Sequence, residues 1–353
     1  MILDDAYRGS TQYRLWSYTE QHLAQTRQNT NALASKCLRE KSSEVRATGS
    51  SSTASDEGSV PHRREDIIDT DVAVQTLTVE EETKIVEWGC MKILEAGEAM
   101  DPRIPSEITA TAIQYLRRFY LTNSPMIHHP KSMVLCALYL ATKADHFYFP
   151  LSRFVGGFEG VSAESVKGSE FVLLQGLRFA LDVRHPMKGL AGGRIEMQTM
   201  ADEGQLGGIS NATGSATARI DSAADQAKRL LATAAQMTDA YFLYTPSQMW
   251  LAAMMVADRD LVETYLGRKL AGLASPGAAA ELGTKLVPTI SACAQLLASY
   301  HPSDAQAHRK ELSRIRKKLD TLVVPRAKSG TREGEGEDSR ERPVKRRKLG
   351  AEV

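Results

Sequence analysis

Between Met133 and Ala141 the chain reads Met-Val-Leu-Cys-Ala-Leu-Tyr-Leu-Ala, with no charged side chain. Pro130 closes a turn just before this run, and Lys143 and Asp145 follow it. A helix that is apolar on every side must be wrapped by other helices. The run is far shorter than the ~20 residues a membrane span needs. A second such run, Met249 to Val256, begins about 115 residues later, after the break Thr245-Pro246-Ser247. That separation is far beyond the roughly 20–50 residues of solenoid repeats. The pair therefore predicts an all-α protein of two similar helical domains in tandem, each built round a buried central helix.

Further helices are expected round each centre. In the first domain (77–182), Glu80, Glu81 and Glu82 suit the positive N-terminus of a helix running through Trp88 and Ile93. A second helix follows Pro105, with Ser106 as its cap and Ile108, Ala112, Tyr115, Leu116 and Phe119 at helical spacing. The apolar helix is third, a short helix near Ser152–Gly156 fourth, and a fifth begins near Ser162, with Phe171, Leu174 and Leu177 on one face. The second domain (183–303) contains a polar, glycine-punctuated stretch at 189–220, which reads as a flexible insertion. Helix is expected again from Asp221 to Tyr241 and from Gln248 to about Ala257.

Residues 1–40 hold an aromatic cluster, Tyr13 to Tyr18, leading into a helix from about Thr19. Such a cluster is expected to dock on a folded body. Residues 41–66 are nearly devoid of apolar side chains, and 41–76 reads as a disordered linker. A charged helix is expected at 304–325, and 326–353 as a disordered basic tail. The tail run Lys345, Arg346, Arg347 and Lys348, beside Pro343, reads as a nuclear-import signal or as a solvated charge run.

The balance of 44 basic and 43 acidic residues singles out no polyanionic partner. Cys37, Cys90, Cys136 and Cys293 are too scattered for a zinc site or a disulfide framework, and a reducing compartment suits them. Met1–Asp5 lacks the basic start and apolar centre of a secretory signal.

Three motifs narrow the class. Tyr13-Arg14-Leu15-Trp16-Ser17-Tyr18-Thr19, Arg118-Phe119-Tyr120-Leu121-Thr122-Asn123-Ser124 and Thr238-Asp239-Ala240-Tyr241-Phe242-Leu243-Tyr244-Thr245-Pro246-Ser247-Gln248 closely resemble the cyclin H family. The likeness covers the N-terminal helix, both domains as two five-helix cyclin boxes, and the C-terminal helix. It leaves out the three segments read as flexible. It implies a non-catalytic regulatory subunit that activates the cyclin-dependent kinase of TFIIH, the CDK-activating kinase, beside a RING-finger assembly factor and the TFIIH core. It implies no cofactor, and a nuclear site of action.

In that family a Lys ending the third helix and a Glu in the fifth contact the kinase backbone. The matching residues are Lys143 and Glu170. His146 stands where the family often has an acidic residue. Phe147 and Phe154 read equally as apolar contacts to the kinase or as core. Tyr13 and Trp16 read foremost as docking the N-terminal helix onto the first box, with a share in orienting it towards the kinase as the alternative.

Rival readings find less support. Asp258-Arg259-Asp260-Leu261 superficially resembles a kinase catalytic loop, but Tyr265 stands where the metal-holding Asn belongs. His128 and His129 have no companions at metal spacing. Another transcriptional cyclin would share the first-box pattern. A TFIIB-like DNA-binding factor needs a basic face, yet 77–182 holds ten basic and thirteen acidic residues, so sequence-specific DNA binding is not expected. A cell-cycle cyclin would carry a substrate-docking motif that Thr83–Met91 lacks.

Overall fold

A computed structural model describes residues 7–49, 75–207, 215–272, 276–301 and 305–322. Every regular element among them is a helix. Ahead of the first repeat come α1 (Thr11–Trp16) and α2 (Glu20–Gly49). The first repeat comprises α3 (Val79–Ala99), α4 (Ser106–Thr122), α5 (Pro130–Ala144), α6 (Leu151–Gly156) and α7 (Ala163–Gly176). The second comprises α8 (Met187–Asp202), α9 (Ala216–Ala232), the single turns α10 (Ala234–Met237) and α11 (Ala240–Leu243), α12 (Pro246–Ala257), α13 (Arg259–Ala271) and α14 (Pro276–Ala298). Last comes α15 (Ala305–Leu322).

Local chemistry explains where these helices begin. Thr78 and Glu81 close a reciprocal capping box on α3, and Thr245 and Gln248 do the same for α12. Pro130 and Pro246 stand at the first helical position, where a missing N–H costs nothing. At α4 Pro105 is the cap residue without a side-chain bond, and Ser106 is already helical.

The two apolar runs are the two centres. α5 is wrapped by α3, α4 and α7, and α12 by α8, α9, α13 and α14. Met133, Val134, Cys136, Ala137, Leu138, Leu140 and Ala141 are buried, with Leu135 and Tyr139 at the margin. Each large side chain taken fully out of water contributes about 1.5–3 kcal/mol. A third, smaller core joins the termini. There Ala34 and Leu38 of α2 pack with Ile315, Leu319 and Leu322 of α15 against Leu77, Ile85 and Met126.

Several expectations need correction. The Gly-rich 189–220 stretch is mostly ordered helix. Gly189 and Gly193 are close-packing positions on α8, where a Cβ would stand 2.6 Å and 2.4 Å from the Trp250 ring. Only 208–214 lies outside the described residues. Residues 41–49 continue α2 and are not linker. Of the rest of that expected linker, 50–74 lies outside the described residues. The predicted Asp221–Tyr241 helix breaks at Thr233, whose ψ of −81° leaves the helical range. Phe171 does not share the core face with Leu177. It is 60% exposed, while Val166, Leu173 and Leu177 point inward. The stretch before Thr19, read as a lead-in, contains the helical turn α1.

Candidate kinase-binding surface

The polar end of α5 is built by the way the helix stops. The Asp145 N–H donates to the carbonyl of Ala141, and His146 turns into the left-handed region at φ 57°. Lys143 therefore sits in the last helical turn, where a cation is favoured by the helix dipole. The neighbouring helix α7 starts at Ser162, whose hydroxyl accepts from the Ser165 N–H at 3.1 Å. It carries Glu170 alongside. The Lys143 ammonium donates to Glu170 Oε1, and it lies 5.7 Å from the centre of the Tyr139 ring.

This pair does little for folding. The Lys143 side chain is half exposed, and ion pairs in water contribute about 0–1 kcal/mol. Its chemistry suits recognition better. An ammonium has three N–H donors, so after bonding Glu170 two remain to meet carbonyl oxygens. Glu170 keeps acceptor capacity for free backbone amides.

Besides Tyr139, further aromatic side chains follow α5 in the chain. Phe147 is half buried, its N–H donating to the Thr142 carbonyl at 2.8 Å, and Tyr148 beside it is 90% exposed. Phe154 is a correction: it has no exposed surface. It packs against Tyr139, Phe149 and Phe158 at ring separations of 5.1, 6.2 and 5.4 Å, so it is core and cannot meet a partner. The short helix α6 gave no periodicity to tell the two roles apart.

The sequence reading missed an exposed aromatic pair. Phe171, adjoining Glu170, and Phe179, 64% exposed, lie edge-to-face with centroids 6.4 Å apart. The usable signal was an aromatic next to Glu170 at a position other than the inward face of Val166, Leu173 and Leu177.

Trp16 is wholly buried, with the guanidinium carbons of Arg118 and Arg178 at 5.4 and 5.5 Å from its ring centre. Tyr13 is partly exposed and packs edge-on against Tyr7 at 5.6 Å. Lys345, Arg346, Arg347 and Lys348 lie outside the described residues.

The decoys take structural parts. Asp258 caps α13 by accepting from the Leu261 N–H, and it accepts from Arg219 Nη2 at 2.8 Å. His129 caps α5, with Nδ1 accepting from Lys131 N–H. No cluster of metal-ligating side chains occurs among the described residues. None of the described helices is long and apolar enough to cross a membrane.

Two helical repeats, each wrapped round an apolar centre and flanked by terminal helices, with a Lys–Glu pair at the polar end of the first centre, define a cyclin. Residues 185–298 match the family model of the cyclin C-terminal domain. The chain is 32% identical to Cyclin CCL1 of Saccharomyces cerevisiae over 75% of its own length and 61% of that protein's. It therefore spans about three fifths of that relative. It is 28% identical to Cyclin-H of Xenopus laevis over 69% of this chain and 72% of that one. A chain in the structure of the CAK complex from Chaetomium thermophilum bound to ATP-gamma-S is similar with a TM-score of 0.73. There the identity is 31%, covering 92% of this chain and 91% of the other. The chain belongs to the cyclin H family.

Proposed function

We propose that this chain is the regulatory subunit of the CDK-activating kinase of TFIIH, and that it acts in the nucleus. The observation that carries the proposal is the Lys143–Glu170 pair at the polar end of α5. In a protein kinase, the mobile regulatory helix must move inward so that its Glu pairs with the Lys that grips the ATP phosphates. A cyclin contributes no catalytic group to that step. It binds the inward state better and so shifts the population. Lys143 would donate to carbonyl oxygens at the end of that helix, and Glu170 would accept from its neighbouring amides, with Phe147, Phe171 and Phe179 as the apolar border. The Phe side chains remove water, which strengthens the charged hydrogen bonds they surround.

The wider assembly follows from the same reading. A RING-finger factor would hold cyclin and kinase together, and the trimer would join the TFIIH core. Its substrates would be the C-terminal repeat of RNA polymerase II and the activation loops of other cyclin-dependent kinases. Lys345–Lys348 would serve nuclear import. No cofactor, membrane contact or sequence-specific DNA contact is part of this reading.

The test is direct. Purified chain is mixed with a CDK-activating-kinase catalytic subunit, and activity on a polymerase-repeat peptide is measured. The parent chain should activate. The Lys143→Ala, Glu170→Ala double change should reduce activation at least tenfold, roughly the loss of one charge-assisted hydrogen bond, with helicity unchanged by circular dichroism. Normal activation by the double variant would remove these two residues from the site.

A further inference from the structure

The turn after α7 combines two features that are unfavourable in the isolated chain. Arg178 and Phe179 are consecutive non-glycine residues with φ of 53° and 55°. The left-handed region costs such residues about 1–2 kcal/mol each. The turn also exposes the Phe179 ring beside the exposed ring of Phe171. Strain of this kind persists only where surrounding contacts enforce it.

Those contacts come from the N-terminal helix. The backbone of the turn is satisfied locally, with the Arg178 N–H donating to Gln175 O at 2.9 Å and Phe179 N–H to Leu174 O at 3.0 Å. The Arg178 guanidinium stacks on buried Trp16 of α1, its carbon 5.5 Å from the ring centre. Two further ties join α1 to the segment that follows. Gln12 Oε1 accepts from the Arg184 N–H at 2.6 Å and from Arg118 Nη2 at 3.2 Å. Arg118 in turn donates to the Asp182 carbonyl at 3.0 Å. Arg118 is itself deeply buried, and burial lowers its guanidinium to about 10. α1 thus grips the chain directly at 178 and 184, and at 182 only through Arg118 of α4.

We infer that Trp16 is a positioning residue of the kinase-binding surface: by holding Arg178 it keeps Phe179 presented beside Phe171. The inference rests on the reading of the Lys143–Glu170 face as kinase-binding. Phe171 follows Glu170 in α7, roughly 100° round the helix from it, and is exposed, so the aromatic pair borders that face. Its partner chemistry is an apolar helical patch next to the backbone groups that Lys143 and Glu170 address. Trp16 touches no partner. Its effect reaches the surface through one side chain and one turn.

The experiment uses the full chain and a CDK-activating-kinase catalytic subunit, with equilibrium affinity, activation and melting temperature measured together. Arg178→Gly is the key variant, because glycine takes the left-handed conformation without cost. It should melt no lower than the parent yet bind about three- to tenfold more weakly, the scale of one lost cation–π contact. Arg178→Lys, which keeps a cation for Trp16, should retain most of the affinity. Phe179→Ala should weaken binding as well. In the Phe179→Ala background, Arg178→Gly should have no further effect.

Parent-like binding by Arg178→Gly overturns the inference. So does an Arg178→Gly loss that multiplies fully with Phe179→Ala. If Phe179→Ala binds normally while the Lys143, Glu170 double change does not, the inference falls and the kinase reading stands. If the parent chain fails to bind the kinase, the kinase reading itself has failed.

Discussion

The Trp250 ring of α12 lies against the backbone of α8 at Gly193, so close that a Cβ there would stand 2.4 Å from ring carbon Cη2. Gly189, one turn earlier, meets the other end of the same indole at 2.6 Å. The two glycines form a flat seat that lets the central helix of the second repeat approach α8. Gly193→Ala should therefore cost about 1–3 kcal/mol through overpacking, partly offset by alanine's higher helix propensity of about 1 kcal/mol. Gly192, its neighbour, has open space where a Cβ would go. Gly192→Ala should stabilise by about 0.4–1 kcal/mol. Urea unfolding of the two variants checks the contrast, and equal effects would contradict the packing account.

A second prediction concerns the junction of three segments. Asp239 lies between α10 and α11. Both terminal nitrogens of Arg27 on α2 donate to it at 2.7 and 2.6 Å, and Arg117 Nη2 on α4 at 2.7 Å. Arg117 also donates to the Met237 and Thr238 carbonyls. Burial pushes the Asp239 carboxyl up, but the two guanidiniums outweigh it and hold the group below the usual Asp value. Such a group stabilises the fold above the ordinary Asp pKa, and the contribution is lost as pH falls through the lowered one. Asp239→Ala leaves Arg117 buried without its countercharge and should cost about 3–5 kcal/mol. Arg27→Ala, at the more exposed edge, should cost clearly less. Chemical denaturation of each variant gives the ranking, and a larger loss for Arg27→Ala would refute it.

Much of the fold was legible because its signals are local. Glu80 to Glu82, Pro130, and Thr245 with Pro246 mark helix starts whatever surrounds them. The apolar runs at 133 and 249 announce burial by having no polar face. What failed were inferences from composition. Glycines at 189 and 193 look like a flexible insertion until Trp250, about 60 residues away, is known to sit on them. The polar residues after Glu40 look disordered, although several of them favour helix and α2 continues to Gly49. The site was legible only in part. Lys143 and Glu170 were paired through a family likeness, since their separation of 27 residues says nothing about contact. Sequence alone leaves Phe154 open between core and partner, and it misplaces Phe171, because an aromatic reads as apolar whether it faces the core or a partner.

The C-terminal helix should be the first element to open. α15 is held on α3 by Arg314 and Lys318 to Glu81 at 2.9 and 2.7 Å, by Glu311 to Lys84 at 2.7 Å, and by Arg316 over Trp88 at 4.7 Å. Most of these charges are partly solvated, so salt weakens them. The apolar anchor is Ile315, which is fully buried. Ile315→Ala should cost about 2–5 kcal/mol, and hydrogen exchange should accelerate in α15 and the facing part of α2 before the two repeats respond. Raising salt to 0.5 M should move exchange in α15 in the same direction. Uniform acceleration across the chain would argue that α15 is part of one cooperative unit.

The last prediction is a pH dependence centred on His185. Thr111 has one hydroxyl hydrogen, which Asp145 Oδ2 at 2.9 Å and the Glu107 carbonyl at 3.1 Å compete to accept. Its oxygen must then accept from His185 Nε2–H at 3.0 Å, which fixes the tautomer. His185 Nδ1 accepts from the Tyr241 hydroxyl at 2.8 Å, and Tyr241 accepts from Gln236. The neutral ring thus ties the end of α5 to the second repeat. Burial, reinforced by Arg118, lowers the imidazole to about 4. The unfolded chain takes up this proton near pH 6.5, the folded chain only near 4. Stability should therefore be complete above about pH 6.5 and fall as pH drops towards 4. The ring's share of that loss is up to about 3 kcal/mol. His185→Gln should be less stable at pH 8, because it loses the network. It should also show a shallower decline between pH 6.5 and 4. Denaturant midpoints measured across that range for both chains give the difference, and parallel curves would exclude His185 as the titrating group.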